Sequence, residues 1–501
     1  MRRRAGSATV LAATVLGVVA YAAQSPSSAP GPLRQIAYLK ASNPLEDAHF
    51  GCGGTLTGHA GNASAISADG STIAVGAPHE NSGAVYVFTR RGGAVAQQAS
   101  IKASNPGDGA SFGSSVALSR DGNTMAVAAY YEASNATGIN GNQDDRSIPE
   151  AGAVYIFTRT GNTWAQQAYI KASNTGNAAV GNGFPEGDQF GYSIALSSDG
   201  NTLAVGAIGE DSTVMGVNGD QTDNSANQSG AAYVFTRTGS AWSQQAYIKS
   251  SLTRPNVLFG YSIGLSGNGD TLAVAEYDAD RGKGALYVLT RTGGIWSHQA
   301  RIQAENAENG DSLGYSMAIS EDGNTLAAGA ADEDCPIPGI NPAGCEKDQP
   351  LDNSSGAAYV FVRTGSTWAQ QVFLKSSNPA KQDWFGVRLA ISGDGNTVAV
   401  SAPNEDSASR GINGKQDDNT APEAGAVYVF TRSGTTWVQQ AYVKSSNARA
   451  GDEFGSSIAL NRDGRTMLVG ARGEDSNAKG VNGNQADTST RDAGAAYLFV
   501  R

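Results

Sequence analysis

The chain has 501 residues, 40% of them hydrophobic and only 16% charged, with 64 glycines and a formal charge of −11. That length exceeds what one ordinary core needs, and the Gly-, Ser-, Thr- and Asn-rich mix suits many short strands and tight turns rather than long helices. The acidic balance argues against nucleic acid or an anionic membrane surface as partner, because both call for clustered Lys and Arg; it leaves cations and basic surfaces open.

The N-terminus reads as an export signal. Arg2, Arg3 and Arg4 precede an apolar run from Val10 to Ala23, and Ala20-Tyr21-Ala22 offers a small-x-small cleavage pattern. The run is short for a membrane span, and no second apolar run follows. An uncleaved anchor is the competing reading. Residues 1–23 are therefore expected to be a signal peptide and 24–33 a flexible lead-in. The mature chain, residues 34–501, is expected to be periplasmic, at the cell surface or extracellular, without a membrane span.

From there on the chain repeats itself. Phe-Gly, once Leu-Gly, opens seven units: Phe50-Gly51, Phe112-Gly113, Phe190-Gly191, Phe259-Gly260, Leu313-Gly314, Phe385-Gly386 and Phe454-Gly455. Each continues with a short alternating run such as YSIALS (192–197) and then a turn such as Asp199-Gly200-Asn201-Thr202. An apolar TLAVGA-type run follows, then a loop of variable length, then G-A-V-Y-V-F. A T-R-T-G turn leads to W-A-Q-Q-A-Y-I-K-A-S-N, complete at 164–174. These are four strands per unit, rich in Val, Ile, Tyr, Phe and Thr and punctuated by Gly, Asn and Asp. Four-stranded units repeated seven times predict an all-β, seven-bladed β-propeller with antiparallel strands in each blade.

The chain ends supply an independent argument. The seventh unit stops at its third strand, GAAYLFVR (494–501), and the missing fourth strand stands at the other end as Arg34–Asn43, RQIAYLKASN. The N-terminal strand is thus expected to complete blade 7, which removes an open sheet edge. Burying Ile36 and Leu39 there would contribute about 1.5–3 kcal/mol each. Trp164, Trp242, Trp296, Trp368 and Trp437 all begin the fourth strand, which points to packing between blades rather than a ligand box. Val95 takes that place in the first unit, and Trp384 falls outside the row, just before a Phe-Gly pair.

The order F-G, G-A-P, G-x-V-Y-V-F, with the full tripeptide at Gly76-Ala77-Pro78, resembles the FG-GAP repeat of integrin α-subunit propellers and of secreted bacterial FG-GAP repeat proteins. The resemblance covers essentially all of 34–501 and implies a seven-bladed propeller with a binding or adhesion role. The D-x-D-x-D-G calcium loop of integrin-type repeats is absent. Here the link is S-x-D-G-N-T, whose lone Asp cannot supply the six to eight oxygens that Ca²⁺ takes.

Most of the acidity lies elsewhere, in the loop between strands two and three. In five units this loop is long; units three, six and seven read an acidic pair, then G-V/I-N-G-x-Q, then Asp, unit two has Glu132 before G-I-N-G-N-Q-D-D, and unit five has Glu333-Asp334, the Cys loop and Asp352-Asn353. The candidate calcium ligands are Glu210, Asp211, Asp220 and Asp223 in unit three, Glu405, Asp406 and Asp417 in unit six, and Glu474, Asp475 and Asp487 in unit seven. Up-and-down strand order places these loops and the links between units on one face. Two readings stand: carboxylates and carbonyls around a hard cation, or Asp, Asn and Ser bonding their own backbone. Cys335 and Cys345 flank one such loop and are spaced for a local disulfide in an oxidising compartment, leaving Cys52 as a buried thiol.

A catalytic constellation does not stand out. His49, His59, His79 and His298 are the only histidines, and none recurs in the repeat. Three of them fall near Cys52 and Glu80 without a tight metal-ligand spacing, so they read as scattered loop residues. No phosphate loop or nucleophile elbow occurs. The expected function is an exported recognition or adhesion propeller, a monomer that binds a protein or glycan on its acidic loop face with calcium as a candidate cofactor. An extracellular glycosidase or lyase using loop carboxylates and a structural surface protein are the alternatives.

Overall fold

Each repeat becomes one four-stranded antiparallel sheet with its strands in chain order, as in Phe190–Leu196, Thr202–Ala207, Ala231–Thr238 and Ala241–Ile248. Seven such sheets are present, the blades of a propeller. The computed structural model describes Met1 and residues 31–53, 61–107, 109–176, 187–345 and 353–501. The expected signal peptide after Met1 and most of the lead-in lie outside the described residues. The propeller itself is the unit Leu33–Arg501. Among the described residues only Ala279–Gly282 forms a helical turn, and no helix is long and apolar enough to cross a membrane.

Strand chemistry follows position in the blade. The second strand is buried at every residue, as in Thr202–Ala207, because neighbouring blades cover both its faces; hence an unbroken run of small apolar residues rather than alternation. The outer strand, Ala241–Ile248, begins exposed and ends buried. The inner strands surround an axial cavity of about 330 Å³ lined by residues such as Ser193, Ser262, Ser316 and Arg388.

The signature pairs interlock neighbouring blades. The carbonyl of Gly260 approaches Gly206 of the preceding blade so closely that a side chain at Gly206 would collide with it, and Gly260 itself has φ +98°. Ser193 Oγ donates to that same carbonyl at 2.7 Å. The contact recurs between the last blade and the first, where Ser457 donates to Gly51 O at 2.7 Å.

The ring closes as expected. Arg34–Leu39 pairs antiparallel with Ala495–Val500, placing Tyr38 opposite Tyr497 and Leu39 opposite Ala496. The Trp row lies between blades: Trp164 Nε1 donates to Gln98 Oε1 of the preceding blade at 3.0 Å, and Arg159 stacks over the indole at 5.3 Å. The Asp-Gly turns are self-contained: Asp199 accepts from Ser197 Oγ and from the N–H of Asn201. At that end of the axis Glu321 takes Arg120 and Arg462 from two other blades.

Candidate functional site

The long loops and the links between blades do share one face, but their acids have partners within the fold. Glu210 lies at the end of a second strand, and Lys249 at the end of the outer strand of the same blade. Their charged groups meet at 2.5 Å and both are buried. Glu132–Lys171, Glu333–Lys375, Glu405–Lys444 and Glu474–Lys40 repeat the pair at 2.5–2.9 Å. An Asn from the preceding blade bridges four of these five junctions, all but that of Glu333. Asn174 donates to Glu210 at 3.1 Å and accepts from Tyr233 OH at 2.6 Å. Asn378 and Asn447 do the same for Glu405 and Glu474.

The remaining loop acids hold backbone. Asp211 accepts from the Gln228 N–H, Asp406 from Glu423 and Asp475 from Asp492. Asp223 and Asp487 each accept from an N–H ten residues earlier, at Thr213 and Asn477. Asp220 caps the turn at Thr222. In unit six the residue equivalent to Asp223 is Asp418, which bonds Thr420, whereas Asp417 is simply exposed. The Asn of each N-G pair reaches the outer strand, as Asn218 Oδ1 does toward the Tyr247 N–H at 2.9 Å, and Val217 bridges Ile248. The loop is therefore strapped along the blade's free edge.

This donor set does not fit calcium. An ion needs several oxygens converging within its coordination shell, whereas here a lysine ammonium occupies each Glu, six of the Asp residues face different N–H groups and Asp417 is exposed. Among the described residues, one group of three or more His, Cys, Asp or Glu side chains brings its ligand atoms within 4.8 Å of one another: Asp47, His49 and Asp492. It contains none of the ten loop acids. Cys335 and Cys345 are disulfide-bonded, with Cα atoms 5.5 Å apart, and Cys52 is a buried free cysteine.

The face is distinctive at its centre, where equivalent positions stop repeating. The residue before Phe-Gly stands where the link enters the inner strand, beside the axis. It is His49, Ser111, Gln189, Leu258, Ser312, Trp384 or Glu453 around the ring, with positive φ at all seven. The residue after the pair is Cys52, Ser114, Tyr192, Tyr261, Tyr315, Val387 or Ser456. One backbone thus presents different chemistry blade by blade.

That chemistry is segregated. On one flank six tyrosines form a continuous chain. Tyr131 meets Tyr130 at 4.2 Å, Tyr130 meets Tyr192 at 5.9 Å, and Tyr192 meets Tyr261 at 5.2 Å. Tyr261 stacks on Tyr277 at 4.3 Å and meets Tyr315 edge-on at 5.6 Å. Leu258 and Trp384 pack against this cluster, and both, with Tyr131 and Tyr277, are partly exposed. The opposite flank, where blade 7 meets blade 1, is polar: Arg472 pairs with Glu453 at 2.7 Å, and the His49 and His79 rings lie 4.7 Å apart. Burial lifts the Glu453 carboxyl to about 7 against the pull of Arg472.

A family model described as the FG-GAP repeat matches residues 95–157, 368–430 and 437–499. Each match runs from an outer strand through the third strand of the next blade, the span that the Asn, Trp and Phe-Gly contacts knit together. The propeller carries FG-GAP repeats in these three stretches. No curated protein matches it. FG-GAP propellers are a binding fold rather than a catalytic one, and the described lining of this propeller's axial cavity carries no carboxylate.

The repeat pattern points to the loop face, and within it to acids that the structure ties to lysines and backbone. The acids that looked like ligands are framework, and the mouth was hidden because its residues do not repeat. Trp384, the one Trp outside the row, was the available signal.

Proposed function

We propose that this FG-GAP propeller is an exported recognition protein that binds a glycan through the aromatic flank of its loop-face mouth. The observation that carries the reading is the partly exposed set Tyr131, Tyr277 and Trp384, backed by the buried rings of Tyr130, Tyr192, Tyr261 and Tyr315, on positions that the fold leaves free to vary. Aromatic faces pack on the C–H faces of sugar rings while phenol hydroxyls stay within reach of water and sugar hydroxyls. Variable residues on rigid scaffolds are where binding specificity resides. The signal-like sequence of residues 1–23 and the Cys335–Cys345 disulfide support export. The loops strapped over the outer strands cover the edges that would otherwise pair with another copy, which supports a monomer.

The test is a glycan array with a parallel hydrolysis screen on the same glycans. Retention of a glycan class without turnover, lost in Tyr277→Ala and Trp384→Ala, is the expected outcome. Turnover would favour the carbohydrate-active enzyme, and binding only to protein extracts would favour an adhesion partner.

A further inference from the structure

The closing seam of the ring brings together four side chains that belong to no repeat. Asp47 and His49 lie in the link from the N-terminal strand, His79 follows the second strand of blade 1, and Asp492 ends the long loop of blade 7. Ligand atoms of Asp47, His49 and Asp492 lie within 4.8 Å of one another. The His79 ring centroid is 4.7 Å from that of His49, and His79 stands beside the three converging residues rather than among them. His49 Nδ1 is buried and has no hydrogen-bond partner.

We propose that Asp47, His49, His79 and Asp492 form a site for a divalent transition-metal ion of the zinc class, which staples blade 7 to blade 1. Two imidazoles and two carboxylates are a donor set suited to zinc and its neighbours rather than to calcium, which prefers oxygen alone. Ligand atoms about 2.0–2.2 Å from an ion lie roughly 3.5 Å apart, so side-chain rotations close the remaining gap. Burial, His79, Arg472 and Arg491 hold the His49 imidazole down to about 3, and burial with Arg472 lowers His79 as well.

The local charge permits a cation. Among the described residues, the cations beside Glu46, Asp47, Glu453 and Asp492 are Arg472 and Arg491, with Glu423 and Asp475 adding negative charge. Arg472 is engaged by Glu453 at 2.7 Å, and Arg491, which bonds Asp47 at 2.8 Å, is 63% exposed. An exposed pair of this kind is weak and yields readily to a metal. The site stands apart from the aromatic flank, and its failure would leave the glycan reading untouched.

The test is Co²⁺ titration of chelator-washed full chain, followed by visible absorption and calorimetry, with Zn²⁺ as competitor and Ca²⁺ as control. The expected result is one ion per chain with intense low-symmetry d–d bands, displaced by Zn²⁺ and not by Ca²⁺, and a higher Tm. His49→Gln and Asp492→Asn each weaken binding about ten-fold or more, while His298→Gln does not. Should His49→Gln fold poorly, Asp492→Asn at the surface carries the test alone. No binding, calcium displacement, or binding unchanged in both variants would overturn the proposal.

Discussion

The Lys40 ammonium donates to the Glu474 carboxylate at 2.8 Å, joining residues 434 positions apart inside the sheet that both chain ends build. The other buried Lys–Glu pairs lie within one continuous repeat; this one exists only when the ring is shut. Removing one partner strands a buried charge, which costs about 3–5 kcal/mol. Lys40→Met is therefore expected to lose that much in urea unfolding, and deletion of residues 34–43 to lose more. Lys102→Met, where Lys102 is 45% exposed beside Glu80, is expected to cost less than about 1 kcal/mol. Equal losses in the two Lys variants would show that burial does not set the energetics of these pairs.

The architecture was legible because every blade must solve one packing problem, and the solution is written seven times. The Lys–Glu pair was legible too, through its exception. In blade 4 both partners change together: Gln303 stands in place of the Lys and Ala279 in place of the Glu, and Asp280 takes Arg301 and Gln303 instead. The same holds for the Trp–Gln contact, replaced at the closing seam by Val95 and Ile36, which pack against the same core cluster. Joint replacement marks contact, whereas counting acids per loop gives only composition. The pairing of His49 with His79 had no such signal, because it occurs once and bridges the link and blade 1 only after the ring folds.

Stability should depend on pH through the links between blades. Burial is the main cause that lifts the Asp452 carboxyl to about 8, with Glu474 and Asp475 adding to it and Arg449 opposing. Asp383 rises to about 8 and Asp311 to about 7 for the same reason. The folded chain thus holds protons that the unfolded chain, with carboxyls near about 4, has released. The stability tied to these groups is complete below about pH 4 and is lost as pH rises through about 8. Tm is expected to fall across that window and Asp452→Asn to flatten the slope. A Tm that rises with pH there would contradict the burial of these carboxyls.

The loop acids also set an expectation for calcium. With Glu210, Glu405 and Glu474 each held by a lysine, Ca²⁺ finds no converging oxygens in the long loops. Millimolar Ca²⁺ added to chelator-washed protein should leave Tm unchanged and release no binding heat. A Tm increase abolished by Asp223→Asn or Asp487→Asn would restore those loops as calcium sites.

The closing seam, one of two without a Trp–Gln pair, offers a direct test of what holds neighbouring blades together. Trp242 Nε1 donates to Gln167 Oε1 at 3.0 Å while Arg237 shares that oxygen at 3.0 Å, so one Gln serves two donors of the next blade. Trp242→Phe removes one bond and is expected to cost about 0.5–1.5 kcal/mol. At the closing seam Val95→Trp alone would bury an indole N–H against Ile36 with no acceptor, and Ile36→Gln alone would bury an amide without its donor. Each should destabilise. Together they recreate the pair found at five other junctions, so the double variant should recover stability, with a coupling of about 0.5–3 kcal/mol in a double-mutant cycle. Strict additivity would mean that the indole–amide bond contributes nothing between blades, and that the Trp row is held by shape alone.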